Sequence, residues 1–501
     1  MYFISYDLGT GGVKASLYDH GFTSLAKCFI EYPTYYPADG WHEQRPEDWW
    51  NSVCQSTHTL LLQTGIDNRE VACVALSGHS LVTVPIDENK QVLLEQVPIW
   101  SDSRASAQAN RFFQSINEDD WYMQTGNGFP PPCYSLFKLM WLKENQPELF
   151  SRISKILGSK DYINFRLTNN VFTDHSYASG FGAYDLRQHK IIPAFLDAAD
   201  IPFSIFPDIV PSHQIIGSVT AEASLQCGLA AGTPVACGGV DNACMALGAV
   251  GTAPGKVYVS LGSSSWIPVN SSQPVLDVKR RPYVFAHIQE NMYTSAYSIF
   301  AGGSSLRWIR EILCSELGKD AYSAMDQMAD TVPIGANGVF FNPSLAGGTR
   351  QDKSPNIRGA FTGMHLGTTR ADLIRSGLEG IALNLEMSLE ALSEHVTIDP
   401  ELLFCGGGSK SKIWMQMFAD VFNSNIIKTN VDQDAASLGA AAICARACGL
   451  WNNYDAIPSL HKIENVYHPI AQHVAAYEKL LPKFRYICNM LSDLGDYLAQ
   501  A

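Results

Sequence analysis

Charge is scarce in this sequence, and what there is leans acidic. Charged residues make up 17% of the 501, with 49 acids against 35 bases and a formal net charge of −14. That balance excludes a chain built to coat nucleic acid or an anionic membrane. It does not exclude a local anion site, because a nest of backbone N–H groups binds phosphate even inside an acidic protein. The 12 cysteines form no CxxC pair and no Cys/His spacing of a zinc site, which excludes a disulfide frame and suits reduced thiols. No apolar run reaches the ~18 residues of a membrane span. The opening MYFISYDLGT carries no basic stretch ahead of an apolar core, so no secretion signal is expected and the expected address is the cytoplasm. What is plentiful is apolar: hydrophobic residues are 46% of a chain too long for one ordinary core. Two domains are expected.

Residues 237–266, CGGVDNACMALGAVGTAPGKVYVSLGSSSW, organise the rest. A Gly-Gly pair places a lone carboxylate, Asp241, at the start of a small-residue helix over 242–250. After a Gly/Pro turn, a strand over 256–261 stops at Gly262-Ser263-Ser264-Ser265. An acid at a helix N-terminus followed by a strand ending in glycine and hydroxyls could deprotonate an alcohol and hold a phosphate nearby. The plainer reading of Asp241 is an N-cap, worth about 1 kcal/mol to its helix.

Elsewhere the pattern is α/β. Residues 1–6 and 13–18 read as strands joined by Gly9-Thr10-Gly11-Gly12, a hairpin turn that exposes N–H groups. The G-x-G-x-x-G spacing is absent and a strand follows, so a dinucleotide fold is not indicated. Pro46 and the acids after it open a helix to about 64. Strands are expected over 71–76 and 81–86, with Ser77-Gly78-His79-Ser80 between them. Ser101-Asp102-Ser103-Arg104 reads as an N-cap signal for a helix to about 115. Helices are expected over 135–145 and 155–167, then a polar loop over 174–180. The second half repeats the logic of the first. It has strands over 257–261 and 265–269, Ala301-Gly302-Gly303 before a helix, a long amphipathic helix over 372–394, and a strand over 402–405 ending at Gly406-Gly407-Gly408-Ser409. An Ala-rich helix over 434–447 has side chains small enough for close backbone packing. The expected domains are 1–249 and 250–450, followed by a helical segment over 451–501.

These residues resemble the FGGY carbohydrate kinases of the actin-like ATPase superfamily, and within them the xylulokinase branch. The resemblance runs over nearly the whole chain. Besides the turns above, its motifs are Glu43-Gln44 to Trp50, Ile99-Trp100-Ser101-Asp102, Lys138-Leu139-Met140-Trp141-Leu142, Lys160-Asp161-Tyr162, Asp174 to Ser179, Gly239-Val240-Asp241-Asn242, Arg358-Gly359-Ala360-Phe361 and Ala436-Ser437-Leu438-Gly439-Ala440. It implies two actin-like (ribonuclease H-like) α/β domains with a catalytic cleft between them, and an ATP- and Mg²⁺-dependent transfer to a sugar hydroxyl. The acceptor is expected to be a ketopentose such as xylulose, with another ketose or a polyol as alternative. A nucleotide-switched binding protein of the same superfamily is the alternative of a different class.

The resemblance implies roles residue by residue. Asp241 would be the general base, with Asn242 as a sugar-hydroxyl partner. Asp7 would face Mg²⁺, through water, while Gly9, Thr10, Gly11 and Gly12 cradle phosphate. Gly262, Ser263 and Ser264 would form the second phosphate loop, and Gly406, Gly407, Gly408 and Ser409 the adenosine motif. Gly302 and Gly303 would approach the nucleotide. His79, Ser80, Leu81, Trp100 and Asp102 would line the sugar pocket. Departures are clear: Gly11 stands where a second hydroxyl is usual, Leu81 where a sugar-reading His is usual, and Cys133 where Gly, Tyr or Phe is usual. Lys14 is expected to be solvated or structural. Partners beyond the sugar are not indicated, neither nucleic acid nor membrane, and a homodimer is left open.

Overall fold

The structure is a computed structural model and describes residues 1–500. It contains the two α/β halves. In the first half, β1 (Tyr2–Gly9) and β2 (Gly12–Asp19) form the expected hairpin, β3 (Ser24–Glu31) continues it antiparallel, and β4 (Val71–Gly78) joins β1 in parallel. Helix α1 (Pro46–Thr64) starts with proline at its first position and Glu47 and Asp48 in its first turn, as the sequence predicts. Helices α2 (Ser135–Asn145), α3 (Ser159–Thr168) and α4 (His175–Ala178) follow. Strands β5 (Ile215–Ser218), β6 (Pro234–Ala236) and β7 (Gly239–Val240) complete a seven-stranded sheet in the order β5-β6-β4-β1-β2-β3, with β7 also on β4. Phe3, Ile4, Tyr6 and Leu8 of β1 are fully buried, as a strand covered on both faces must be.

Helix α5 (Asp241–Val250) leads into the second half. There β8 (Val257–Leu261) and β9 (Ser265–Ser271) form an antiparallel pair, extended by β10 (Tyr283–Ala286) and β11 (Tyr293–Ile299). Helices α6 (Gly302–Leu313) and α7 (Arg370–Ser393) come next; α7 opens on a capping box in which Thr369 and Asp372 satisfy each other's backbone N–H groups. Then come β12 (Glu401–Cys405), α8 (Lys412–Phe422), β13 (Asn425–Thr429), α9 (Ala435–Ala447), β14 (Ile463–Tyr467) and α10 (Ala471–Ala499). The seven-stranded order is β10-β11-β9-β8-β12-β13-β14. In both sheets a hairpin arm (β1, β8) has an antiparallel partner on one side and a parallel strand on the other, so the two ladders repeat one plan.

Several sequence expectations are corrected. The helix expected over 155–167 is a short strand, Lys155–Leu157, followed by α3. Gly158 separates them because a Cβ there would meet the Tyr177 ring at 2.2 Å. The helix after Trp100 begins only at Ser106, and the strand after His79 at Val84. The polar loop over 174–180 contains α4, capped by Asp174. The segment after 450 adds β14 to the second sheet as well as helices. Helix α9 packs on β1, β4 and α5, with the close backbone packing its small side chains predict. Its crossing with α5 is backbone on backbone, since a Cβ on Gly439 would sit 2.0 Å from the Cys244 carbonyl oxygen and one on Gly248 1.8 Å from that of Ala435.

Candidate active site

The first Gly turn is held from behind. Tyr32 donates its hydroxyl to the Gly9 carbonyl, and Gln44 Nε2 donates to the Thr10 carbonyl at 2.7 Å. In a planar trans peptide the N–H points opposite to the carbonyl it is joined to. The N–H groups of Thr10 and Gly11 are therefore directed away from Tyr32 and Gln44, toward the open side of the turn. Trp100 Nε1 donates to the Thr10 hydroxyl at 2.9 Å, and its ring lies edge-on to Phe129, centroids 6.1 Å apart.

Asp7, on β1, stands opposite Ser77 in the parallel register with β4, and the Ser77 hydroxyl donates to Asp7 Oδ1 at 2.8 Å. Burial raises the Asp7 pKa above the ordinary carboxylate range, against the pull of Ser77 and Lys14. Lys14 pairs with Asp434 at 3.7 Å. Asp241 is delivered by β7, whose Gly239 and Val240 lie opposite Ser77 and Gly78. It is partly exposed, and its Oδ1 accepts the Asn242 N–H at 2.8 Å. Burial pushes its pKa up to about 7, and the negative charge of Asp7 adds to the rise. The two carboxylates are delivered by strands on either side of β4, and they lie near enough for the charge of Asp7 to raise the Asp241 pKa.

The second Gly turn is open: Gly262, Ser263 and Ser264 are exposed. Gly302 and Gly303 belong to the first turn of α6 and serve this loop. Gly303 N donates to the Gly262 carbonyl at 3.0 Å and Ser304 N to that of Ser263 at 2.9 Å. At the third turn Gly406 adopts φ +92°, and its N–H donates to Asp432 at 2.7 Å; a side chain here would be strained. A Cβ on Gly407 would meet open space. Ser409, expected to touch nucleotide, is 2% exposed and donates its hydroxyl to the Gly406 carbonyl at 2.8 Å, closing its own turn.

The residues expected to line the sugar pocket are mostly buried. Asp102 is fully buried: Oδ1 accepts from Arg104 Nε at 2.9 Å, and Oδ2 accepts from His42 N and Arg104 Nη2, both at 2.7 Å. Arg104 also reaches Glu43 and lies over the Trp41 ring at 3.9 Å. Asp102 anchors this cluster. His79 is 1% exposed, packed edge-on to Trp49, with Nδ1 3.1 Å from the Leu8 carbonyl, and burial lowers its pKa to about 4. Ser80 and Leu81 are buried too, Leu81 in left-handed backbone at φ +61° with its carbonyl bonded by the Lys138 ammonium at 2.8 Å. Of the pocket residues expected, Trp100 and Asn242 keep partial exposure. Sequence reasoning gave no role to Ser77, Tyr32 or Gln44. Ser77 was findable from the alignment of the two strand ends; Gln44, on a two-residue strand paired with Val97, was visible only as a motif residue, and Tyr32, in a loop, left no trace.

The site thus comprises two glycine-rich turns, at residues 9–12 and 262–264, and a carboxylate of raised proton affinity, Asp241, at the start of α5. Family models of the FGGY family of carbohydrate kinases match this chain, the N-terminal domain over residues 2–248 and the C-terminal domain over 257–448. The protein belongs to the FGGY carbohydrate kinases. It is 29% identical to the xylulose kinase of Bacillus subtilis (strain 168) over 99% of this chain and 98% of that one. It is 28% identical to the gluconokinase of the same organism, again over 99% and 98%. Its fold matches the crystal structure of xylulose kinase from Rhodospirillum rubrum with a TM-score of 0.91 at 27% identity, over 99% of this chain and all of the other.

Proposed function

We propose that this carbohydrate kinase transfers the γ-phosphoryl group of ATP to a hydroxyl of a ketopentose such as xylulose, with Asp241 as general base. The observation that carries the base is the position of Asp241 at the partly open start of α5, with its pKa raised to about 7. Such a carboxylate accepts the hydroxyl proton as the sugar oxygen forms its bond to the γ-phosphorus. The bond to the bridging oxygen breaks and ADP leaves. Asn242 would pair with a neighbouring sugar hydroxyl. The N–H groups of Thr10 and Gly11 would hold phosphate on one side and Gly262, Ser263 and Ser264 on the other, while Gly406, Gly407 and Gly408 would receive the adenosine.

Magnesium fits the residues present. Asp7 and Asp241 put two carboxylates together, and Mg²⁺ borrows only one or two from a protein and completes its shell with water and phosphate. Bound at Asp7 it would neutralise phosphate charge. Every cysteine of the chain is free, which supports a reducing, cytoplasmic setting.

Xylulose is favoured by full-length likeness to xylulose kinases. A sugar acid is the second reading, favoured by a gluconokinase of nearly equal identity. A coupled ADP-release assay across ketoses, aldoses, polyols and sugar acids decides between them: xylulose should give the highest kcat/KM, and preference for gluconate would replace the ketopentose. Sugar-independent turnover that survives Asp241→Asn would instead indicate a nucleotide-switched binding protein.

A further inference from the structure

The segment that delivers Asp241 is gripped from below by a closed set of buried charges. Lys160, Asp161 and Asp174 are all within 1% of full burial. Lys160 Nζ lies 2.6 Å from Asp161 Oδ1 and 3.1 Å from Asp174 Oδ1, and donates to the Cys237 carbonyl at 3.2 Å. Asn164 donates to the same carbonyl at 2.8 Å. Cys237 opens the hinge, and Gly238, at φ +74°, turns it so closely over β4 that a Cβ would stand 2.1 Å from the Leu76 carbonyl oxygen.

The other end of the hinge is held by a relay. Asp174 Oδ2 accepts the Ser176 hydroxyl at 2.5 Å, and the Ser176 oxygen in turn accepts the Val240 N–H at 2.9 Å. Val240 is the residue before Asp241. A serine hydroxyl has one proton to give. Donating it to a carboxylate turns the remaining lone pairs toward Val240 and strengthens that acceptor. Two bonds therefore connect a buried anion to the peptide that carries the base. β7 is only two residues long and makes a single parallel pairing, so strand hydrogen bonds alone hold it weakly.

We infer that Ser176, oriented by Asp174 and the Lys160 cluster, is a positioning residue for phosphoryl transfer: it fixes the Val240 peptide and so the direction in which Asp241 meets the acceptor hydroxyl. This rests on the reading of Asp241 as base. The network touches neither expected phosphate loop, so its effect belongs on the chemical step and not on ATP binding.

The test sets Ser176→Ala against Ser212→Ala. Ser212 donates its hydroxyl to the same Asp174 Oδ2 at 2.8 Å, but its side chain bonds nothing in the hinge. Ser176→Ala should lower kcat on the order of 10- to 100-fold, the cost of a misaimed reactive group, with KM for sugar and ATP changed by less than about threefold. Ser212→Ala should lower the melting temperature comparably and keep kcat within about threefold. Ser176→Cys, slightly larger and a weaker acceptor, should fall between wild type and Ser176→Ala, and it carries the test if the alanine variant does not fold. Equal kcat losses in the two alanine variants, or a Ser176→Ala change confined to stability or to KM, overturns the inference. Asp241→Ala is assayed alongside. If it is inactive while Ser176→Ala keeps full kcat, only the positioning role falls; if it is active, the base assignment falls and takes the positioning role with it.

Discussion

Trp100 donates its indole N–H to the Thr10 hydroxyl at 2.9 Å. The residue expected to line the sugar pocket is thereby tied to the loop expected to hold phosphate.

Trp100→Phe keeps an aromatic ring, though a smaller one, and removes that bond. One neutral hydrogen bond is worth about 1 kcal/mol, or a factor of about 5 in an equilibrium constant. KM for ATP should rise by about that factor, with the sugar KM changing less. A change in the sugar KM alone would show that the ring, not the bond, matters.

The Asp241 carboxyl must be ionised to accept a proton. With its pKa near 7, kcat/KM should climb as pH rises through about 7 and level off above. A profile already flat from pH 5 upward removes Asp241 as the group that titrates.

The same shift has a stability consequence of fixed sign. The folded state holds the Asp241 proton more tightly than the unfolded chain, whose carboxyl titrates near 3.8. Stability from this group is full below that value and is lost as pH rises through about 7. Asp241→Asn removes the burial of a charge, so its melting temperature should exceed that of wild type at pH 8, with the gap shrinking toward pH 5. Its sugar-stimulated turnover should fall by at least about 10²-fold. Thermal scans at both pH values check the first claim and ADP release the second.

Asp102→Asn separates a structural from a sugar-binding carboxylate. Its charge is buried and answered by Arg104, and breaking such a pair costs about 3–5 kcal/mol. Denaturant unfolding should show that loss. The residual folded enzyme should keep its ranking of sugars; a reordered ranking would return Asp102 to the pocket.

Much of the scaffold was legible because its signals are local. Pro46 with two acids announces α1, and the apolar runs flanking Gly9 to Gly12 announce the first hairpin. The Gly/hydroxyl ends of β8 and β12 were legible for the same reason, and Asp241 stood out as a lone acid before a small-residue helix. What failed was long-range. Nothing near Asp102 says that His42, 60 residues earlier, will consume its second oxygen. Lys160, Asp161 and Asp174 were visible as motif residues but could be given no role, since their partner Cys237 lies 77 residues from Lys160. The break at Gly158 was missed because Tyr177, which forbids a side chain there, arrives only with the fold. His79 and Leu81 were placed in the pocket by the family resemblance, and no local signal announced that packing would bury them.

The crossing of α5 and α9 sets a boundary for anyone redesigning this enzyme. With carbonyl oxygens about 2 Å from where any side chain would begin at Gly248 and Gly439, neither position tolerates even a methyl group without prising the helices apart. A library aimed at new sugars can start from Asn242 and, at the cost of the Thr10 bond, Trp100, but it should freeze these two glycines, because a variant that moves them also moves Asp241 before any new acceptor is tested.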